Sequence, residues 1–107
     1  MKLYFYILKT PYNAKSYVHC DECEVDEKPK TYVPVGKFPR EICRSYINKS
    51  EIGHILGCYK DRIILTEKDN QFVKNMFSDS IKKAINSRYE EIGKLTEKLH
   101  AVEELED

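Results

Sequence analysis

Thr66 to Asp107 reads TEKDNQFVKNMFSDSIKKAINSRYEEIGKLTEKLHAVEELED, a stretch with no proline and a single glycine, Gly93. Phe72, Val73, Met76, Phe77, Ile81, Ala84 and Ile85 recur at spacings of three and four, as one face of a 3.6-residue period requires. From Ile81 onward the apolar positions narrow to Ile81, Ile85, Arg88, Ile92, Leu95, Leu99 and Val102. That alternation of four and three is a coiled-coil-like seam with one arginine in it. Thr66, with Asp69 three residues later, supplies the expected cap.

A helix from Asp69 to Leu105 is roughly 55 Å long at about 1.5 Å per residue, against roughly 30 Å for the width of a compact domain of this size. The expected division is therefore an α+β module over 1–85, including the first half of the helix, and a projecting helical extension over 86–107. Ser87-Arg88-Tyr89-Glu90 also has the pattern that starts a helix, and Gly93 weakens a helix by about 1 kcal/mol relative to Ala. No Gly or Pro stands near Asn86 to turn the chain, so one helix is expected rather than a hairpin. An apolar seam in water is an interaction surface, and its simplest partner is a second copy. The expectation is a homodimer held by Ile85, Ile92, Leu95, Leu99 and Val102.

The residues before the helix read as short extended segments broken by turns. Leu3 to Leu8 is rich in aromatic and β-branched residues and predicts a strand covered on both faces. Ser16 to Val25 predicts a second strand, with the acidic residues that follow pointing to an edge or an exposed loop. Thr31 to Val35 predicts a third, which Pro34 confines to a sheet edge or ends early. Arg40 to Ile47 fits helix and strand equally. Asn48 with Glu51 predicts the cap of a short helix through Ile52, Ile55 and Leu56, stopped by Gly57. Cys58 to Leu65 predicts a last strand or a tight hairpin around Lys60-Asp61. The fold class expected is α+β: a small antiparallel sheet of three or four strands, one short helix and a long C-terminal helix.

At 107 residues the chain has room for one modest core. Its formal net charge is zero, which argues against a general nucleic-acid binder. The charge is nevertheless sorted. Between Lys28 and Arg62 eight basic residues stand against three acidic ones, and Asp21, Glu22, Glu24, Asp26 and Glu27 form an acidic run just before. A basic middle meets an anionic ligand or pairs with its own acidic neighbours. The stretch best placed for an anion is Arg44 to Ser50, which sets Arg44, Asn48 and Lys49 at a helix N-terminus, with Lys28, Lys30 and Tyr32 able to join. Interleaved tyrosines also permit base stacking.

Leu3 to Leu8 is too short for a membrane span and lacks a signal-peptide cleavage site, so a cytoplasmic location is expected. Cys20, Cys23, Cys43 and Cys58 are then expected as thiols or metal ligands. Cys20 and Cys23 form a C-x-x-C pair, and His54 with Cys58 forms a second pair, the right ligand types for zinc. About thirty residues separate the pairs, and the first pair lacks the glycine of a zinc knuckle, so no cofactor is the preferred reading. His19 and Cys20 face opposite sides of a strand, and nothing orients His54 towards Cys58, so no enzyme is expected.

Lys30-Thr31-Tyr32, Ile47-Asn48-Lys49-Ser50-Glu51-Ile52-Gly53 and the passage from strand into long helix resemble small uncharacterised proteins carried by phages and mobile elements of low-GC bacteria. The resemblance covers about two thirds of the chain; the Cys20 to Cys23 insert departs from it. It implies a non-enzymatic accessory protein acting in the host cytoplasm against a host defence, as an inhibitor of a CRISPR nuclease or a sponge for a nucleotide signal. On that reading the acidic run imitates nucleic-acid charge towards a protein partner, or Lys30, Tyr32, Arg44, Asn48 and Lys49 hold a nucleotide. The alternative is a zinc-stabilised nucleic-acid-binding module using Cys20, Cys23, His54 and Cys58.

Overall fold

The computed structural model describes residues 1–57 and 61–105. Among the described residues there are six strands: β1 (Lys2–Lys9), β2 (Tyr17–Glu27), β3 (Thr31–Pro34), β4 (Ile47–Asn48), β5 (Ile55–Leu56) and β6 (Arg62–Leu65). One helix, α1 (Asn70–Glu103), follows them. The strands form a single antiparallel sheet in the order β4-β3-β2-β1-β6-β5. The α+β class holds, and the strand count of three or four is corrected to six.

Central β1 earns its place from Leu-Tyr-Phe-Tyr-Ile. Leu3 and Phe5 are fully buried and Ile7 is 1 % exposed, the alternate positions that share one face of a strand. β2 is long enough to serve two partners. Tyr17 to Glu24 pairs with β1, and Val25 to Glu27 pairs with β3, so the sheet curls along this strand. The acidic end of β2 is thus not the exposed loop or edge expected for it. Cys23 and Val25 are buried between exposed carboxylates, and that alternation keeps the strand in register to Glu27.

Leu3, Phe5, Cys23, Val25, Tyr32, Ile47 and Ile64 meet in one core, and Phe38 and Ile42 close it from the chain between β3 and β4. The Phe5 and Phe38 rings stand 5.6 Å apart at 59°, a tilted geometry that suits the aromatic quadrupole. Arg40 to Tyr46 is neither helix nor strand but turn and irregular chain, with Ile47 entering β4.

The helix expected from Asn48 to Gly57 is reduced to one 3-10 turn, Lys49–Glu51. Gly53 follows with φ +82°, a left-handed conformation that glycine alone adopts freely. It reverses the chain so that Ile55 and Leu56 pair with Ile63 and Arg62. Of the hairpin expected over Cys58 to Leu65, Cys58 to Lys60 lie outside the described residues.

The long helix is one element of 34 residues, about 50 Å at the standard rise. It starts at Asn70, with the Asp69 carboxylate accepting from the Phe72 N–H at 3.0 Å. Asp69 is therefore the N-cap, in place of Thr66. Tyr6 donates its hydroxyl to Asn70 Oδ1 at 2.8 Å, tying the first turn of α1 to β1. The chain divides into two compact units, Met1–Val73 and Lys74–Asp107.

Candidate functional site

Lys30, Tyr32, Asn48 and Lys49 are brought together because β3 pairs with β4, Thr31 lying opposite Asn48 and Tyr32 opposite Ile47; Arg44, in the irregular segment before β4, is linked to Asn48 through Glu51. The Lys49 N–H donates to the Lys30 carbonyl at 2.9 Å. Pro29, Lys30, Asn48, Lys49 and Ser50 line an open depression of about 330 Å³ at this edge.

The cations at the edge already have carboxylates. Arg44 donates through both terminal nitrogens to Glu51, Nη2 reaching Oε1 at 2.7 Å and Nη1 bonding Oε2. The Asn48 side-chain amide and backbone N–H also donate to Glu51 Oε1, at 2.9 and 3.3 Å. These bonds hold the Glu51 carboxyl below the usual carboxylate range, with the Arg44 hydrogen bond as the largest cause. The same bond raises the Arg44 guanidinium. Lys49 Nζ donates to Glu27 at 2.9 Å and lies 5.4 Å from the centre of the Tyr32 ring. Tyr32 is 6 % exposed and belongs to the core, so its ring is not presented for stacking. Among the described residues Lys30 forms no ion pair. An anion binding here competes with Glu51 and Glu27 for its cations.

The acidic run is distributed over both faces of β2, because neighbouring strand residues point to opposite sides. Glu22 accepts from Lys2 at 3.2 Å, Glu24 from the Met1 ammonium at 2.8 Å and Glu27 from Lys49. Asp21 lies 3.0 Å from His19 Nε2. Among the described residues Asp26 alone of the five has no such neighbour. Three of the five carboxylates are thus compensated by cations of the same chain.

Cys20 is exposed and Cys23 buried, both as thiols on β2. Residues three apart on a strand face opposite sides, so this pair does not converge on one ion. The Cys23 thiol donates to the Lys37 and Glu24 carbonyls at 3.4 and 3.5 Å, and burial raises its pKa. His54 is exposed, and Cys58 lies outside the described residues. Among the described residues no group of three or more His, Cys, Asp and Glu side chains is placed to hold a metal. Nor, among them, is any helix long and apolar enough to cross a membrane.

The α1 row is an apolar series left in water. Ile85 is 46 % exposed, Ile92 57 %, Leu95 62 %, Leu99 57 % and Val102 69 %. Arg88 lines a groove with Ala84, Ser87, Glu91, Ile92 and Leu95. Sequence reasoning paired Glu51 with Asn48 as a cap, and the Asn48 bonds to Glu51 are there, but it missed the double hydrogen bond that Arg44 makes to the same carboxylate. It also missed the ion pair of Lys9 with Glu41 at 2.6 Å, which joins residues 32 positions apart and leaves no local trace.

Comparison with protein-family models, with curated proteins and with solved structures finds no match of any of the three kinds.

Proposed function

We propose that this chain is a non-enzymatic binding protein that assembles as a homodimer through the α1 row and antagonises a host-defence protein on behalf of a phage or mobile element. The observation that carries the binding reading is the exposed row from Ile85 to Val102. A helix face of this kind is stable in water only at a cost, and it is the form in which partner-binding surfaces are kept. The antagonist role comes from the resemblance of the Lys30-Thr31-Tyr32 and Ile47 to Gly53 motifs. A protein target is favoured over a nucleotide signal because Arg44 and Lys49 already bind carboxylates and Tyr32 is in the core.

Phage plating tests it. The chain is expressed in bacteria carrying a CRISPR nuclease programmed against the infecting phage, and in matched strains carrying nucleotide-signalling defences. Restored plating on the nuclease strain, lost in Ile92→Asp/Leu99→Asp, is the expected result. Restoration confined to the nucleotide-signalling strains moves the function to Lys30, Arg44 and Lys49. Unchanged plating on every strain removes the antagonist role.

A further inference from the structure

We infer that two copies of the chain pair antiparallel along α1, in the register that sets Ile92 of one copy against Leu95 of the other. This rests on the homodimer proposed above and adds its direction and register. In heptad terms Ile85, Ile92 and Leu99 occupy one kind of core position, and Ile81, Arg88, Leu95 and Val102 occupy the other. A parallel in-register pair places each core residue against its own copy. Two Arg88 guanidiniums then share one layer of an apolar seam, where like charges repel strongly. An antiparallel pair crosses the two kinds of position. Arg88 then lies against Leu99 of the other copy, its stem covering apolar surface while its charge reaches the rim, and Ile85 meets Val102.

The flanking charges select the register. With Ile92 opposite Leu95, Glu91 faces Lys98 and Lys82 faces Glu103, and two-fold symmetry makes each pair occur twice. The parallel pair offers only Lys98 against Glu103, with Glu91 opposite Thr96. Sliding the antiparallel pair by one heptad sets Glu91 against Glu91 in one direction and Lys98 against Lys98 in the other. Among the described residues none of Lys82, Glu91, Lys98 and Glu103 is engaged in an ion pair within its own chain, so all four are available across the seam.

Charge reversal read by sedimentation equilibrium on the full chain separates the cases. Both sites are exposed in the single chain, so the variants keep the parent fold, checked by circular dichroism. Glu91→Lys and Lys98→Glu are each expected to weaken the dimer by about tenfold, since every altered contact occurs twice. Combining them restores the attraction and returns the dissociation constant to within about threefold of the parent. An unchanged constant for Glu91→Lys, or a double variant as weak as Lys98→Glu alone, overturns the antiparallel register. A parent chain that stays monomeric at about millimolar concentration overturns the homodimer itself and assigns the row to a different protein.

Discussion

Glu51 holds three parts of the chain at one point: Arg44 from the irregular segment, Asn48 from β4 and its own 3-10 turn. Its carboxyl is held below the ordinary range chiefly by Arg44, so it stabilises the fold in its ionised form. A carboxylate with a lowered native pKa contributes fully above its unfolded value, near pH 4.3, and loses that contribution as pH falls through the native value. Glu51→Gln is expected to cost about 1–2 kcal/mol at neutral pH. The gap between parent and variant should shrink below about pH 4. Urea unfolding at both pH values measures it, and a gap that stays constant to pH 3 rules the ion pair out as its source. Gly53 is the other residue that decides local structure. At φ +82° a side chain is strained whatever the space around it, so Gly53→Ala should destabilise by about 1–2 kcal/mol and lower the melting temperature accordingly.

At the scale of elements, the segment between β3 and β4 does the work of a missing helix by closing the core with Phe38 and Ile42. Phe38→Ala removes a ring packed on Phe5 and should cost about 3 kcal/mol, read as a lowered urea midpoint. An effect under about 1 kcal/mol means that this segment lies on the core without sealing it. The contribution of Phe38 was hidden in the sequence because an isolated aromatic after Gly36 carries no period. β1, most of β2 and the helix were legible from Leu3 to Leu8, an aromatic and β-branched run, from Ser16 to Val25, and from the three-and-four spacing that starts at Phe72, whereas the acidic end of β2 was not, because its pairing with β3 depends on residues further along the chain. β4 and β5 hold two residues each, too few to show alternation, and both exist through pairing with strands distant in sequence. The capping signal at Asn48 and Glu51 was real, but tertiary pairing ended its helix after one turn. Of the residues proposed to hold an anion, Lys30, Asn48 and Lys49 line one depression and Tyr32 does not. The electrostatics there were not legible, since the Lys49 partner Glu27 is 22 positions away and Tyr32 is buried by residues distant in sequence.

For the molecule as a whole, the two compact units, Met1–Val73 and Lys74–Asp107, should respond differently to dilution. The first has a core of its own, with Leu3, Phe5, Ile47 and Ile64 fully buried. The second is a stretch of helix whose apolar row is exposed in the single chain, and helices without tertiary packing are marginal in water. If a second copy covers that row, helix content follows mass action while the sheet does not. Seven of the eight tyrosines lie before Lys74, so the near-ultraviolet signal reports the first unit, whereas ellipticity at 222 nm reports mainly α1. Dilution from about 100 μM to about 1 μM should reduce the 222 nm signal per residue and leave the near-ultraviolet spectrum unchanged. Ile92→Asp/Leu99→Asp should show the diluted spectrum at every concentration. A helix signal that stays constant while sedimentation shows the dimer dissociating gives α1 a stability of its own and confines the seam to assembly.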